Sequence, residues 1–280
     1  MRAERKSPLT VRTYADAVHA FFRWCESTST TPQLSKPVVQ KFIADLLDGG
    51  AETNTTRARA KGLRRFSAWL AAERELAEDA LLGLRPPTAE QKVVHALDEE
   101  QLRLLLKACS GRSMAERRDE ALIRLMVETG ARAGEVIALQ TADVDLAKGL
   151  VTIRRGKGGK GRLLPVGAQT AQSLDRYLRA RRQAGHGDNV ALWVGRTGTF
   201  GYQALDQMLK KHARAAGIEN FHAHLLRHTF ATRWKAARGS DDGLMSIAGW
   251  SSRAMIDRYA GAAAADRAAI EARALGLGDF

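Results

Sequence analysis

Two adjacent prolines, Pro86 and Pro87, interrupt regular secondary structure about a third of the way along the chain. Proline has a fixed φ and no backbone N–H, so neither a helix nor a central strand continues through such a pair. At 280 residues the chain is also long for a single domain. We therefore predict a first domain over residues 1–84, a linker over 85–96, a larger domain over 97–260 and a tail over 261–280.

The first domain is predicted to be helical. Apolar residues recur every three or four positions in three segments, which is the spacing of one face of an α-helix. Pro37 falls in the first turn of the second segment, where helix N–H groups have no partner in any case. The three segments are Thr10–Cys25, Ser35–Leu47 and Thr53–Arg74.

The third segment carries a basic face opposite its apolar side. The basic residues are Arg57, Lys61, Arg64 and Arg65, and the apolar ones are Leu63, Phe66, Trp69 and Leu70. Such a face is either simply solvated or binds a polyanion. The net charge of +13 and a pI near 10.2 favour nucleic acid, because basic surfaces gain affinity from counterion release. Ribosomal or membrane-surface binding is the alternative explanation of this charge.

The larger domain is predicted to be mainly helical with a small β-hairpin or sheet. Asp98 and Gln101 form a capping-box pattern at the start of one helix, and Gly130 ends another that is apolar nearly all round. Two short β-type runs flank a glycine-rich loop and indicate the hairpin. The elements predicted after the capping box are helices over 119–128, 168–182 and 202–216, hairpin strands over 151–154 and 162–166, and a strand over 191–194.

His224 and Arg227 stand three positions apart, on one face of a predicted helix. An arginine binds phosphate oxygens in a bidentate manner, and a histidine beside it exchanges a proton near neutral pH. The pair therefore predicts a site for a phosphate. His228 and His224 share the i, i+4 spacing of helical zinc sites, but Leu225 stands where a metalloprotease has glutamate, so no metal is predicted.

Other candidate residues have a plain structural explanation when each is taken alone. Arg132 and Glu135 follow a helix end, and the alternative to an anion site is a surface ion pair that contributes little. Trp250 and Tyr259 follow a turn at Gly249, and aromatic residues of this kind are more often part of a core.

The loop over residues 156–161 contains Lys157 and Lys160 between glycines. It is not a nucleotide-binding P-loop, because it lacks the GxxxxGK[ST] order and leads into no helix. A glycine-rich loop lets a lysine move towards a bound ligand, and the alternative is a mobile basic turn.

Taken together, these segments resemble the tyrosine recombinases, the phage integrase family of site-specific DNA recombinases. The matching segments are the first-arginine box at Thr129–Val136, the Gly-Lys-Gly of the hairpin, the His-x-x-Arg box at His224–Thr229, the Gly-His-Ser-Ser segment at Gly249–Ser252 and the nucleophile at Tyr259. The chain departs from the common pattern at Trp250, where most members carry histidine. An indole N–H donates one hydrogen bond but cannot act as an acid or a base.

The resemblance implies that the first domain binds DNA and that the larger domain is catalytic. Residues 1–84 resemble the helical core-binding domain, whose third helix lies along the DNA and contacts phosphates. Residues 97–260 resemble the mixed α+β tyrosine recombinase catalytic domain. The chain is similar to two-domain members without an arm-binding domain.

The resemblance also implies the chemistry. Tyr259 attacks the scissile phosphate and forms a 3′-phosphotyrosyl link. Arg132 and Arg227 neutralise the transition state, where preorganised charge is usually the largest catalytic contribution. Lys157 protonates the leaving 5′ oxygen, and His224 moves the proton of Tyr259.

Four further residues are expected to support this reaction. Trp250 donates a hydrogen bond to the phosphate, Glu135 lies behind the first arginine, His228 orients the site by hydrogen bonding, and Lys160 contacts the DNA backbone. Because the covalent link conserves the phosphoester energy, no cofactor is expected.

The expected partners are double-stranded DNA with a specific core site and three further copies of the chain, which form a tetramer on DNA. The tail over 261–280 has a weakly apolar helical face and is expected to dock on a neighbouring protomer, whereas the alternative is a solvated terminus. Cys25 and Cys109 have no C-x-x-C spacing, and neither a secretory signal nor a run of bilayer length occurs. We therefore expect a cytoplasmic protein.

Two other functions share part of this pattern. A type IB topoisomerase uses the same tyrosine, arginine and lysine chemistry but relaxes DNA without a partner duplex, and the compact first domain favours the recombinase. A DNA-binding protein of the same fold without activity would not require Tyr259, Lys157 and both arginines together.

Overall fold

The computed structural model describes residues 8–88, 95–154, 161–195, 198–253, 255, 256 and 275. The chain divides into two compact units, Met1–Lys92 and Val93–Phe280, and each has its own apolar core. The prediction of a mainly α fold with a small antiparallel sheet is confirmed. Among the described helices, none has the length and apolar character needed to cross a membrane.

Over residues 8–88, the first unit contains three helices: α1 (Pro8–Ser27), α2 (Lys36–Asp48) and α3 (Thr53–Ala72). Phe21, Phe42 and Leu63 meet in its core, as the apolar periodicity predicts. The expectation that Trp69 faces inward is wrong, because its side chain is 47% exposed and stacks on Phe66 of the same helix.

Helices α1 and α3 are packed closely together at Gly62. A Cβ atom at this position would lie 2.4 Å from the Cβ of Ala17, which is fully buried. We expect Gly62→Ala to lower the free energy of unfolding of this unit by about 1–3 kcal/mol, the usual cost of overpacking a core. That cost exceeds the roughly 1 kcal/mol that alanine gains over glycine inside a helix.

Hydrogen exchange of α1 and α3 peptides in increasing urea measures this effect. The control is the double variant Ala17→Gly with Gly62→Ala, which moves the methyl group from one helix to the other and should restore most of the protection. Full protection in Gly62→Ala alone would contradict the expectation.

The second unit begins with two helices that both start at a capping box, α4 (Glu99–Ala108) after Asp98 and α5 (Met114–Thr129) after Ser113. Helix α5 starts five residues before its predicted start at Asp119, because the charged residues before Asp119 already belong to the helix. The remaining helices are α6 (Ala133–Ile137), α7 (Ala168–Gln183), α8 (Tyr202–Ala215), α9 (Ala223–Ala236) and α10 (Asp241–Ala248), with a 3₁₀ turn at Thr141–Asp143.

Two small antiparallel sheets lie in the described part of the second unit. The first has the order β1 (Val144–Asp145), β2 (Leu150–Ile153) and β3 (Arg162–Pro165), with Val151 opposite Leu164. The predicted hairpin is therefore present. The second pairs β4 (Val194–Gly195) with β5 (Gly198–Thr199).

The strand predicted over 191–194 is largely replaced by irregular backbone. Only Val194 belongs to β4, and Ala191 makes an isolated bridge to Gln140. Trp193 is fully buried, and its indole N–H donates to the carbonyl oxygen of Val136 at 2.8 Å. This buried tryptophan holds α6, the helix that directly follows Arg132, against the core.

Candidate active site

The C-terminal end of α10 is the point where three arginines meet. The carbonyl oxygens of Ile247, Ala248 and Gly249 are consecutive, and each accepts a hydrogen bond from a different guanidinium. The donors are Arg162 Nε at 2.7 Å, Arg227 Nη2 at 2.8 Å and Arg132 Nη2 at 3.1 Å, in that order. Carbonyl groups at a helix end lack partners within the helix and carry partial negative charge, so cations are favoured there.

Gly249 makes this convergence possible. Its φ of 63° places it in the left-handed region that commonly ends a helix at glycine. A Cβ atom here would also lie 2.9 Å from Nη1 of Arg162. The helix therefore ends in a turn that is packed directly against a guanidinium, immediately before Trp250.

Arg132 begins α6 and is held by Glu135. The Glu135 carboxylate accepts from the Arg132 backbone N–H at 3.0 Å and from Nη1 at 2.8 Å. The Glu135 side chain is buried, so the interpretation as a surface ion pair is wrong. Arg132 itself keeps 29% of its side chain exposed and uses two of its five N–H groups in these side-chain bonds. It is thus fixed in place with donors left over for an anion.

Arg162 also belongs to this cluster, although it was not among the residues predicted from the sequence. It donates to Glu135 through Nη1 at 3.1 Å and Nη2 at 2.6 Å, and both side chains are less than a tenth exposed. Burial alone would raise the pKa of Glu135, but the bonds from Arg162 and Arg132 outweigh it and lower that pKa to about 2. A sequence signal was present, because Arg162 shares the inward face of β3 with the buried Leu164. A cation on such a face requires a carboxylate partner.

Arg227 lies on α9 and is 2% exposed. Its Nη1 donates to the carbonyl oxygen of Gly130 at 2.7 Å, so the guanidinium joins the end of α5 to the end of α10. Trp250 is buried against Phe230 and Ile256, and its ring centroid lies 5.1 Å from Cζ of Arg227. Trp250 is therefore a core aromatic, as its residue type suggests, and it also faces an arginine of the site.

His224 and His228 lie on the same helix as Arg227. His224 is exposed to solvent and His228 is buried. Partial desolvation lowers the pKa of His224, and Arg227, His222, His228 and Arg132 lower it further. This lowered pKa favours the neutral imidazole of His224, which is the form that accepts a proton. No three His, Cys, Asp or Glu side chains cluster as a metal site in the described parts of the chain.

Three predicted site residues, Lys157, Lys160 and Tyr259, lie outside the described residues, as does the tail except for the exposed Leu275. Their roles stay predictions. The described strands β2 and β3 pair on either side of the lysine loop, with Ile153 opposite Arg162.

The basic face of α3 belongs to the first unit. Lys61, Arg64 and Arg65 are exposed there. Arg57 is only partly exposed and donates through Nη1 to the carbonyl oxygen of Pro87. The basic surface of α3 is thus formed mainly by Lys61, Arg64 and Arg65. Arg57 instead holds the segment around Pro87 against α3.

Comparison with known protein families gives two matches that together cover most of the chain. The Phage integrase family matches residues 95–266, and the Phage integrase N-terminal SAM-like domain matches residues 1–74. Tyrosine recombinase XerC of Actinobacillus pleuropneumoniae is 28% identical over 232 residues, which are 82% of this chain and 75% of that protein. XerC of Xanthomonas campestris is 29% identical over 264 residues, which are 92% and 80% of the two chains.

Solved structures show the same fold at low sequence identity. The XerH site-specific recombinase bound to a palindromic difH substrate has a TM-score of 0.79 at 20% identity, covering 99% of this chain and 82% of that one. A lambda integrase dimer bound to a COC′ core site has a TM-score of 0.70 at 16% identity, covering 91% and 89%.

Proposed function

The chain belongs to the phage integrase family and is a tyrosine-type site-specific DNA recombinase, and we propose that six of its residues carry the reaction. These residues are Arg132, Lys157, His224, Arg227, Trp250 and Tyr259. The observation that supports the assignment best is the convergence of Arg132 and Arg227 on adjacent carbonyl groups, Gly249 and Ala248, immediately before Trp250.

In the proposed cleavage step, the phenolic oxygen of Tyr259 forms a bond to the scissile phosphorus as the bond from phosphorus to the 5′ oxygen breaks. The tyrosine proton passes to the neutral His224, and Lys157 gives a proton to the departing 5′ oxygen. Arg132 and Arg227 offset the charge on the non-bridging oxygens. A 5′ hydroxyl of the partner duplex reverses the step and joins the exchanged strands.

The remaining residues hold and align the DNA in this proposal. Lys61, Arg64 and Arg65 contact backbone phosphates from α3, with Arg57 at the rim and Lys160 near the lysine loop. Because exchange between two duplexes cuts four strands with one tyrosine each, four copies act together on a specific core site. The compartment we propose is the cytoplasm, where such DNA is found.

Covalent trapping tests this function. The probe is a pool of nicked duplexes with randomised sequence around the nick, so that a cleaved strand loses its short 5′-hydroxyl fragment and rejoining is prevented. An adduct that survives denaturing electrophoresis, with a recurrent DNA sequence and a nucleotide mass on the Tyr259 peptide, supports the proposal. DNA binding without any adduct would contradict it.

A relaxation assay separates the recombinase from a topoisomerase. On a supercoiled plasmid that lacks the recovered sequence, a recombinase leaves the supercoils intact. Relaxation of that plasmid at the rate seen with the target would favour a type IB topoisomerase instead.

The lowered pKa of His224 predicts how the rate depends on pH. A proton acceptor works only when deprotonated, so attachment should be flat near pH 7 and fall as the pH drops through this lowered pKa, below the usual value of about 6.5. His224→Gln should attach more slowly, by on the order of 10²-fold, and should lose this acid limb.

The measurement is the second-order rate of adduct formation at subsaturating DNA between pH 5 and pH 8. His222→Gln is the matched control, because His222 is exposed at the start of the same helix and is one of several groups that lower the pKa of His224, so the acid limb should move to higher pH but persist. An unchanged acid limb in His224→Gln would assign the proton transfer to another group.

A further inference from the structure

We propose that Arg162 is a positioning residue for DNA cleavage, which fixes the guanidinium of Arg132 through Glu135 and joins β3 to the end of α10. The inference rests on the proposed function, because it assigns Arg132 to the scissile phosphate.

Arg162 makes three hydrogen bonds with one planar group. Two go to the two carboxylate oxygens of Glu135, and the third goes from Nε to the carbonyl oxygen of Ile247 at 2.7 Å. The guanidinium is rigid, so the carboxylate and the helix end are held in a fixed relation to each other. A lysine has one ammonium group and does not reproduce this geometry.

The carboxylate that Arg162 holds is the same one that holds Arg132. Glu135 Oε1 accepts from both guanidiniums, at 2.8 Å from Arg132 and 3.1 Å from Arg162. Without Arg162, the buried Glu135 would lose its strongest partner and gain rotational freedom. The orientation of Arg132 would then rest on a single carboxylate whose own position is no longer defined.

Arg162 also links the two segments that lead to the undescribed part of the site. It is the first residue of β3, directly after the glycine-rich loop with Lys157, and its Nη1 lies against Gly249 just before Trp250. One side chain thus fixes the position of β3, which follows the lysine loop, relative to the end of α10. The segment with Tyr259 begins beyond that helix end.

The test uses the nicked duplex recovered by trapping, with the full-length protein. For Arg162→Gln we expect the single-turnover rate of attachment at saturating DNA to fall on the order of 10²-fold, which is typical of a catalytic group misplaced by about 1 Å. The dissociation constant for DNA should change less than about threefold, because one indirect contact among many is affected. Arg162→Lys should restore little of the rate.

Arg176→Gln is the matched control. It removes another arginine from a glutamate pair in the same unit, with Nη2 of Arg176 3.1 Å from Oε1 of Glu120, but 40% of that side chain is exposed. Its attachment rate should equal that of the wild type. Should Arg162→Gln fail to fold by circular dichroism, Arg162→Lys decides, since a lysine variant that attaches at the full rate overturns the proposal.

A pH profile distinguishes positioning from a loss of general stability. Glu135 faces Arg132 and Arg162, and Asp143 and Arg154 line the same small cavity. When Arg162 is lost, the pKa of Glu135 rises, because the effect of burial is then opposed by Arg132 alone, and protonation of the carboxylate then releases Arg132. The rate of Arg162→Gln should therefore fall more steeply than that of the wild type between pH 8 and pH 5.5, and the added Glu135→Gln substitution should remove the extra fall.

The outcomes distinguish failure of the positioning role of Arg162 from failure of the proposed function. Parallel pH profiles for wild type and Arg162→Gln, or equal attachment rates, overturn the positioning role and leave the proposed function standing. No adduct with the wild-type protein on any duplex of the pool overturns the proposed function, and the positioning role with it.

Discussion

Replacing Tyr259 with phenylalanine is expected to abolish covalent attachment to DNA while leaving DNA binding unchanged. The substitution removes only the phenolic oxygen, which is the proposed nucleophile. Loss of a nucleophile costs on the order of 10⁶ in rate where it has been measured in other enzymes, so the adduct should fall below detection. The measurement is adduct formation on the nicked duplex, with a binding assay on the same DNA.

The other tyrosines of the chain provide the control. The chain has four tyrosines, including Tyr259. Tyr202 is exposed at the start of α8, so Tyr202→Phe should attach at the wild-type rate. Tyr177 is unsuited to act as a nucleophile, because it is fully buried, burial raises its pKa, and its hydroxyl donates to the carbonyl oxygen of Leu192 at 2.9 Å. An adduct that persists in Tyr259→Phe would require another nucleophile and would overturn the assignment.

Replacing Arg227 with lysine should slow attachment about 10³-fold, which is at the upper end of what one preorganised donor contributes. The charge remains, but a single ammonium group cannot bridge the carbonyl oxygens of Gly130 and Ala248 and also present a planar pair of donors to a phosphate. The single-turnover rate at saturating DNA measures this effect. Arg233→Lys on the same helix is the control, because Arg233 is about half exposed and pairs with Glu99.

A modified substrate shows whether the loss concerns charge at the phosphate. In a methylphosphonate, one non-bridging oxygen is replaced by a methyl group, and the negative charge that the arginines neutralise is absent. The rate difference between wild type and Arg227→Lys should shrink on such DNA. An undiminished difference would indicate that Arg227 acts only by holding α5 and α10 together.

Features that depend on a few neighbouring residues could be predicted from the sequence. The capping box at Asp98, the helix end at Gly130 and the hairpin around the lysine loop are local patterns with a local physical cause. Arg132 and Arg227 could be named as candidates because each stands in a short motif, and both side chains reach the end of α10. Arg162, the first residue of β3, stands in no such motif.

Features that depend on distant partners could not be predicted in this way. Arg162 acquires its role from Glu135, which is 27 residues away, and from Ile247, which is 85 residues away. Trp69 looks like a core residue by its type and spacing, but the core of the first unit is filled without it, and the side chain stacks on Phe66 at the surface. The periodicity of apolar residues predicts which face of a helix is apolar. It does not predict how much of that face is buried by neighbouring elements.

The convergence of three arginines on α10 also ties the assembly of the candidate site to the folding of the second unit. Arg132, Arg162 and Arg227 bond to carbonyl groups 117, 85 and 21 residues away in sequence, so each reaches its place only when α10 has packed. A newly synthesised or partly unfolded chain already contains Tyr259, but it lacks the assembled positive charge that the proposed cleavage step uses. Under the proposed function, strand breakage therefore depends on the packing of α10 against the three arginines.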